Sequence, residues 1–201
     1  MHGLIHRSIQ NYMCDCYGMD AWREVAARAG VMPPDFEPML SYEDAVAHAV
    51  LEAMGLVLRR PRAEVMEDIG TYLVSHPNTE AVRRLLRFGG TNFEDFLHSL
   101  DDLPDRARMA VADLHLPAIE LHGHAGGRYS LICNSATTNS GAMKGFGHLM
   151  TGVLRVMADD YGALALLDLE EDAQGREIVR IQLVATDYAD GRAFQLGGHG
   201  T

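Results

Sequence analysis

The chain has 201 residues and a net charge of −11, and 47% of its residues are hydrophobic against 22% that are charged. This length is enough for one ordinary domain with a sizeable core, and the acidic balance disfavours direct binding to nucleic acid or to an anionic membrane surface. No apolar run approaches the roughly 20 residues of a membrane-spanning helix, and the N-terminus lacks a secretory signal pattern. We therefore expect a cytoplasmic protein that binds neither nucleic acid nor membrane.

The first half of the chain is predicted to be helical. Apolar residues recur at helical spacing over residues 4–17, and a second helix is expected over residues 20–30. Ser41 and Asp44 have the spacing of a capping box, which predicts a helix from there through residue 58. Pro61 suits the first turn of the helix that follows.

One further helix ends the helical half of the chain. Thr91 and Glu94 have capping-box spacing ahead of the segment FEDFLHSLDDL. Pro104 follows this segment, and it is expected to kink or end the helix because proline has no backbone donor and disfavours helix at the residue before it. At about 100° per residue, position 104 falls within the apolar arc of this helix and would face the interior.

The second half of the chain changes character. PAIELHGH and RYSLICNS are predicted strands joined by a turn, MKGFGHLMTGVLRVMADDYG is a predicted helix with an apolar stripe, and ALALLDLE and EIVRIQLVA form a predicted hairpin. The whole pattern predicts an α+β fold. A helical N-terminal part is followed by helices packed on a small antiparallel sheet of about four strands.

Three stretches together resemble the H-NOX family, the haem-nitric oxide/oxygen binding (HNOB) domains. They are the opening MHGLIHRSIQNYMCDCYG, then LLRFGGTNFEDFLHSLDDL with the later Pro117, and GFGHLMTGVLRVMADDYG before two strands. The resemblance covers about residues 1–185 and implies one domain of that fold. Its helical lobe would span residues 1–60 and its proximal helices and sheet residues 61–185, with residues 186–201 as a loose tail.

The resemblance implies a bound haem b, but two of the family's attachment motifs are altered. The proximal histidine that binds iron in the family aligns with Pro104, which has no donor atom. The YxSxR motif that holds the haem propionates in the family has no direct match, because Tyr129 and the serine after it are adjacent. Alignment backwards from residue 152 instead places Ser140, Ala142 and Lys144 at its three positions. The chain is therefore identified as a divergent member.

Other histidines are candidates for the missing iron ligand. His98 points away from the apolar arc of its helix, and His148 lies at the boundary of an apolar stripe. Two pairs have the spacing to share one face, His2 with His6 on a helix and His122 with His124 on a strand. Each pair needs a third ligand that the sequence does not identify, so the metal ligand stays undetermined.

The apolar residues that the resemblance places around the haem are retained. Together with the two prolines and one histidine discussed above, they form the predicted cofactor-binding set: Ile5, Ile9, Leu73, Val74, Leu100, Leu103, Pro104, Pro117 and His148. If haem is bound, a distal wall without a hydrogen-bond donor favours NO over O₂. The alternative is that the apolar members of this set are ordinary core.

The resemblance implies a stand-alone haem-based sensor of NO or another gas, without catalytic activity. Such a sensor would regulate a separate histidine kinase or cyclic-di-nucleotide enzyme. The alternative is a haem-free module of the same fold that binds another apolar ligand, or only a protein partner. An enzyme is the third hypothesis and ranks last, because Ser130 and Ser135 lack acid or base companions in the sequence and GxSxG is absent.

Overall fold

The computed structural model describes residues 1–87, 89–134 and 144–192. It confirms the predicted α+β fold. The helices are α1 Gly3–Tyr17, α2 Met19–Ala29, α3 Asp44–Leu58, α4 Arg62–Ser75, α5 Glu80–Arg87, α6 Phe93–His98, α7 Leu103–Ala110 and α8 Phe146–Tyr161. The strands are β1 Ala118–His124, β2 Arg128–Asn134, β3 Leu164–Glu171 and β4 Glu177–Ala185. None of the described helices is long and apolar enough to cross a bilayer.

Helices α1 to α4 enclose the first of two hydrophobic cores. Trp22 and Phe36 are almost fully buried there, and their rings pack with centroids 5.9 Å apart. Helices α2 and α3 end where the backbone turns left-handed, at Gly30 and Arg59. Gly30 has a φ of 71° and its amide donates to the last carbonyls of α2, a conformation in which glycine carries no side-chain penalty.

The second core lies between the sheet and helices α6 and α8. The strand order is β1-β2-β4-β3, and every neighbouring pair is antiparallel. Leu131 on β2 lies opposite Val179 on β4, and both side chains are fully buried. The hairpin between β1 and β2 turns at Gly126 and Gly127, which both have positive φ, as a tight hairpin turn requires.

The two cores are joined where α4 crosses α8. The crossing is so close that a β-carbon on Gly70 would lie 2.0 Å from the Leu149 carbonyl oxygen, and one on Gly152 would lie 2.0 Å from the Glu67 carbonyl oxygen. Glycine at both positions therefore lets the two backbones touch. On the exposed side, Arg155 of α8 forms an ion pair with Glu67.

The two predicted capping boxes are wrong in detail. Helix α3 begins at Asp44, and Glu43 precedes it without a side-chain cap. At α6 the capping residue is Asn92, whose side-chain oxygen accepts a hydrogen bond from the amide of Asp95 at 2.8 Å. Asparagine is as good a cap as threonine, and the residue with extended backbone at the boundary takes the role.

The segment after β4 is tied to the end of α8. The amides of Tyr188 and Ala189 donate to the carbonyl of Gly162, and the amide of Arg192 donates to the carbonyl of Asp160. Residues 193–201 of the predicted tail lie outside the described residues.

Candidate functional site

An apolar cavity of about 280 Å³ lies at the junction of the two hydrophobic cores. Its walls come from α1, α3, α4, α5, α7 and α8. Members of both cores line it: Ile9, Leu51, Met66 and Ile69 from the first core, and Leu86, Leu103, Phe146, Met150 and Val153 from the second. A ligand in this cavity would therefore contact both cores at once.

The side chains of the described cavity wall are almost entirely hydrocarbon. Its side-chain heteroatoms are the hydroxyl of Ser8 and the thioethers of Met1, Met66 and Met150. The Ser8 hydroxyl already donates to the Leu4 carbonyl at 2.9 Å. Because an ion or a strong polar group would be desolvated here without a partner, the wall selects against both.

Four of the nine predicted cofactor-binding residues line the cavity, namely Ile5, Ile9, Leu73 and Leu103. Two others, Val74 and Leu100, are fully buried in the second core without lining it. Pro117 is buried immediately before β1, and His148 is half-buried on α8; neither lines the cavity.

Pro104 lies beside the cavity wall and does not line it. The predicted continuous helix over residues 93–103 is wrong, because α6 ends at His98 and α7 begins at Leu103 with the proline in its first turn. Pro104 therefore starts a helix and does not end one. Leu103 and Ala107, which are one turn apart, line the cavity, whereas Pro104 is half-buried outside it.

The turn between α6 and α7 explains the displacement of position 104. The amide of Leu100 donates to the carbonyl of Leu97 and that of Leu103 to the carbonyl of Leu100, both with i to i+3 spacing. A turn of this kind advances about 120° per residue instead of about 100°. Over four residues the difference accumulates to roughly 80°, so α7 presents a different face to the interior from the one that a single helix would present.

The single histidines considered as iron ligands do not reach the cavity. His98 is exposed, as predicted, and its ring meets the edge of the Tyr129 ring at 5.9 Å. The side chain of His148 is only half-buried, and α8 presents Phe146 and Met150 to the cavity on either side of it.

The two histidine pairs are engaged in local structure. His2 caps α1 by accepting a hydrogen bond from the Leu4 amide, and His6 lies between the rings of Phe36 and Tyr42 at 4.8 and 5.0 Å. His122 and His124 lie on β1 and are exposed. Across the described part of the chain, no group of three or more His, Cys, Asp or Glu side chains is placed to hold a metal ion.

The N-terminus of α8, at one end of the cavity, is occupied by a carboxylate of the protein itself. The buried Glu177 side chain accepts hydrogen bonds from the amides of Gly145 and Gly147 at 2.9 and 2.8 Å. Helix N-termini bind anions through such amides, so a ligand carboxylate would have to compete with Glu177. A β-carbon on Gly145 would lie 3.2 Å from the Met66 side chain, so this end of α8 lies close to the cavity wall.

The positions aligned with the propionate motif give little support for haem attachment. Ser140 and Ala142 lie outside the described residues, and Lys144 is exposed. The Lys144 carbonyl accepts a hydrogen bond from Arg62 at 3.1 Å, and the Arg62 Nε atom is buried without a partner. Burial lowers the pKa of Arg62, the one described guanidinium that reaches this end of α8 through a hydrogen bond.

The described residues therefore do not fit a haem attached as the resemblance implies. The family's attachment needs a histidine nitrogen on the cavity wall, and the described wall offers none; the thioethers of Met1, Met66 and Met150 are the described side-chain atoms there that could coordinate haem iron. The apolar body of a porphyrin matches the carbon lining, but among the described residues neither a histidine for the iron nor a cationic side chain for the propionates lines the cavity.

Sequence reasoning missed the part of the cavity that α5 and α7 form. Val82, Leu85 and Leu86 follow the i, i+3, i+4 spacing of a buried helix face, which was a usable signal. Ala107 gave no such signal, because one small apolar residue in a polar helix is uninformative.

A second concave region lies on the opposite, exposed face of the sheet, with a volume of about 490 Å³. It brings His124 within 2.9 Å of the Ser130 hydroxyl, a companion that the sequence did not indicate. Arg180 also approaches this hydroxyl at 3.4 Å, and it forms an ion pair with Glu170. Among the described residues no carboxylate bonds the other imidazole nitrogen of His124, so the pair lacks the orienting group of a hydrolytic triad.

Comparison with known proteins agrees with the fold. The family model described as "Haem-NO-binding" matches residues 2–165. The chain is 26% identical over 183 residues to soluble guanylate cyclase gcy-31 of Caenorhabditis elegans, covering 89% of this chain and 25% of that protein. It is 30% identical over 104 residues to soluble guanylate cyclase gcy-32 of the same organism. This match covers 51% of this chain and 15% of that protein. The chain thus spans about a quarter or less of the length of these relatives.

Solved structures show the same fold at low sequence identity. An H-NOX protein from S. oneidensis in the Fe(II) ligation state superposes with a TM-score of 0.75 at 16% identity, covering 92% of this chain and 97% of that one. An Fe(II) unliganded H-NOX protein from K. algicida superposes with a TM-score of 0.75 at 14% identity. The superposition covers 97% of this chain and 100% of that one.

Proposed function

Because the chain belongs to the haem-NO-binding (H-NOX) family, we propose that it is a non-catalytic sensor module. It binds a ligand in the apolar cavity between its two cores. The conformational change on binding then alters the activity of a separate signalling protein. The observation that carries this proposal is the position of the cavity, whose wall is shared by the helical core and the sheet core.

A ligand at this junction can change how the two cores pack against each other. Helices α4 and α8 touch through Gly70 and Gly152, so a small displacement on the cavity side is passed directly between their backbones. Packed interfaces of this kind tend to switch between discrete arrangements, and a ligand shifts the balance by binding one arrangement more tightly. The family model and the guanylate cyclase relatives support a sensory role, and the output activity of those relatives lies beyond the quarter that this chain matches.

Two ligands are candidates for the cavity. The family favours haem b with NO as the sensed gas, which would require iron coordination by a methionine of the wall or by a ligand from outside the described wall. The chemistry of the wall favours a haem-free site that takes another apolar molecule. The partner expected from the resemblance is a histidine kinase or a cyclic-di-nucleotide enzyme in either case.

Visible spectroscopy distinguishes the two ligands. The protein is produced in cells supplied with a haem precursor, and its Soret band and iron content are measured before and after NO is added. Stoichiometric iron with a Soret band that shifts on NO supports the haem sensor. A protein that stays colourless through a haem titration supports the haem-free module.

Histidine variants show whether an iron ligand is the missing element. Ala107→His places an imidazole on the cavity wall, Pro104→His restores the residue that the family alignment expects, and Met109→His is the exposed control on the same helix. We expect the Soret absorbance after haem titration to rise most for Ala107→His and not at all for Met109→His. Equal spectra for the three variants would show that the cavity does not admit a porphyrin.

The sensor role itself is tested on the partner. The activity of a histidine kinase or cyclic-di-nucleotide enzyme from the source organism is measured with the ligand-free and ligand-bound protein. We expect the two forms to change that activity by different amounts. The proposed function would be refuted if the activity of the partner were the same in three conditions: without the protein, with its ligand-free form and with its ligand-bound form.

A further inference from the structure

We infer that the cavity is a metal-free binding site for an uncharged apolar molecule of about two aromatic rings. This inference rests on the proposed sensor function and names the ligand class of its site. It follows from the disagreement between a fold whose family binds haem and a described cavity wall that offers neither a histidine or thiolate for the iron nor a cationic side chain for the propionates.

The absence of charged side chains on the described wall selects a neutral ligand. Among the described residues no acidic, basic or imidazole side chain lines the cavity, the Ser8 hydroxyl is already bonded within its own helix, and the N-terminal ammonium of Met1 is paired with Asp44 at 2.9 Å. A charged group buried here would lose its hydration without gaining a partner, whereas an apolar group loses nothing. At the α8 end, the buried amides of Gly145 and Gly147 are already bonded to Glu177.

The size of the cavity limits the ligand. An engineered apolar cavity of about 150 Å³ stays dry and binds benzene, and pockets for drug-sized ligands begin at about 300 Å³. The 280 Å³ of this cavity therefore suits a molecule of about two rings or a hydrocarbon chain of similar volume. Three methionines on the wall can adjust its shape, because their side chains are unbranched and flexible.

The cavity also has a path to solvent. Leu4 on α1 and Val82 on α5 line it and are each 38% exposed, and Ala110 at the end of α7 is exposed as well. Helix α5 is held to α8 by an ion pair of Arg83 with the buried Asp160 at 2.6 Å, so the rim has a fixed position in the fold. An apolar ligand can reach the cavity between α1, α5 and α7 without global unfolding.

A matched pair of fluorescent probes tests the inference on the full chain. 1-Dimethylaminonaphthalene is neutral, and 5-dimethylaminonaphthalene-1-sulfonate has the same two rings with one sulfonate. We expect the neutral probe to bind with one site per chain, to fluoresce, and to raise the thermal midpoint by mass action. The sulfonate is expected to bind at least roughly tenfold more weakly. Equal affinities, or tighter binding of the sulfonate through Arg62, would overturn the inference.

Two variants on α7 place the probe in the cavity. Ala107→Phe fills the cavity from its wall, whereas Met109→Phe adds the same ring at a position that is 87% exposed. We expect Ala107→Phe to weaken neutral-probe binding at least roughly tenfold and Met109→Phe to leave it unchanged. If circular dichroism shows that Ala107→Phe is unfolded, Ala47→Leu on α3 fills the same cavity from the other side. Unchanged binding in a folded filling variant would refute the site.

The outcomes separate this inference from the proposed function. Failure of the neutral probe, together with a stoichiometric Soret band after haem titration, refutes the metal-free site and leaves the sensor intact. If the probe binds but the activity of the partner does not change when the protein is added, the sensor role is refuted and the cavity remains a ligand site.

Discussion

Replacement of Glu177 tests the structural link between the sheet and the cavity end of α8. This carboxylate on β4 is 6% exposed and accepts two hydrogen bonds from buried amides, those of Gly145 and Gly147. Glu177→Ala leaves both amides without an acceptor, and Glu177→Gln keeps one acceptor oxygen. An unpaired buried donor costs about 1–3 kcal/mol. We therefore expect the free energy of unfolding to fall by about 1–3 kcal/mol for Gln and by about 2–6 kcal/mol for Ala.

Urea unfolding followed by circular dichroism measures these losses. Glu171 provides the control, because it lies opposite Glu177 in the sheet register and is exposed. Glu171→Ala is expected to change the free energy of unfolding by less than about 0.5 kcal/mol. If Glu177→Gln and Glu177→Ala were equally stable, or if both matched the control, the two hydrogen bonds would not stabilise α8 as described. A loss confined to the Ala variant would instead indicate packing of the side-chain carbons.

Two further predictions concern pH and helix packing. Burial lowers the pKa of His6 below its ordinary value of about 6.5, against the opposing effects of the His2 backbone hydrogen bond and of Asp44, so the unfolded chain binds the proton more readily. The stability that neutral His6 provides is therefore complete above about pH 6.5 and decreases as the pH falls, by at most about 1.4 kcal/mol per pH unit. His6→Phe should remove this slope from the difference between the two stability curves, and parallel curves would contradict the assignment. At the α4–α8 crossing, Gly152→Ala drives a β-carbon against the Glu67 carbonyl and should cost about 1–3 kcal/mol or more in urea unfolding. Gly123→Ala, whose β-carbon would meet its first neighbour at 3.8 Å, should cost less than half as much, and similar losses at both glycines would argue against the close crossing.

Local sequence patterns predicted the elements of this fold because the forces behind them act within a few residues. The apolar period of α8 and the glycine that ends it, Gly162, are visible in the sequence, and both match the structure. The likeness of three stretches to one family also held, since the family model matches residues 2–165. The capping residue of α6 was predicted one position too early. Threonine and asparagine are both good caps, and the extended backbone at Asn92 decides which of them takes this role.

Only the tertiary structure decided which side chains form the site. The i to i+3 turn over residues 99–102 rotated α7, so Leu103 and Ala107 line the cavity and Pro104 does not. Likewise, Glu177 caps a helix about 30 residues before it in the chain, and His124 meets Ser130 across a hairpin. The physical reason is that periodicity fixes which face of an element is apolar. How far that face is rotated, and which distant side chains it meets, is set by packing among elements separated in sequence.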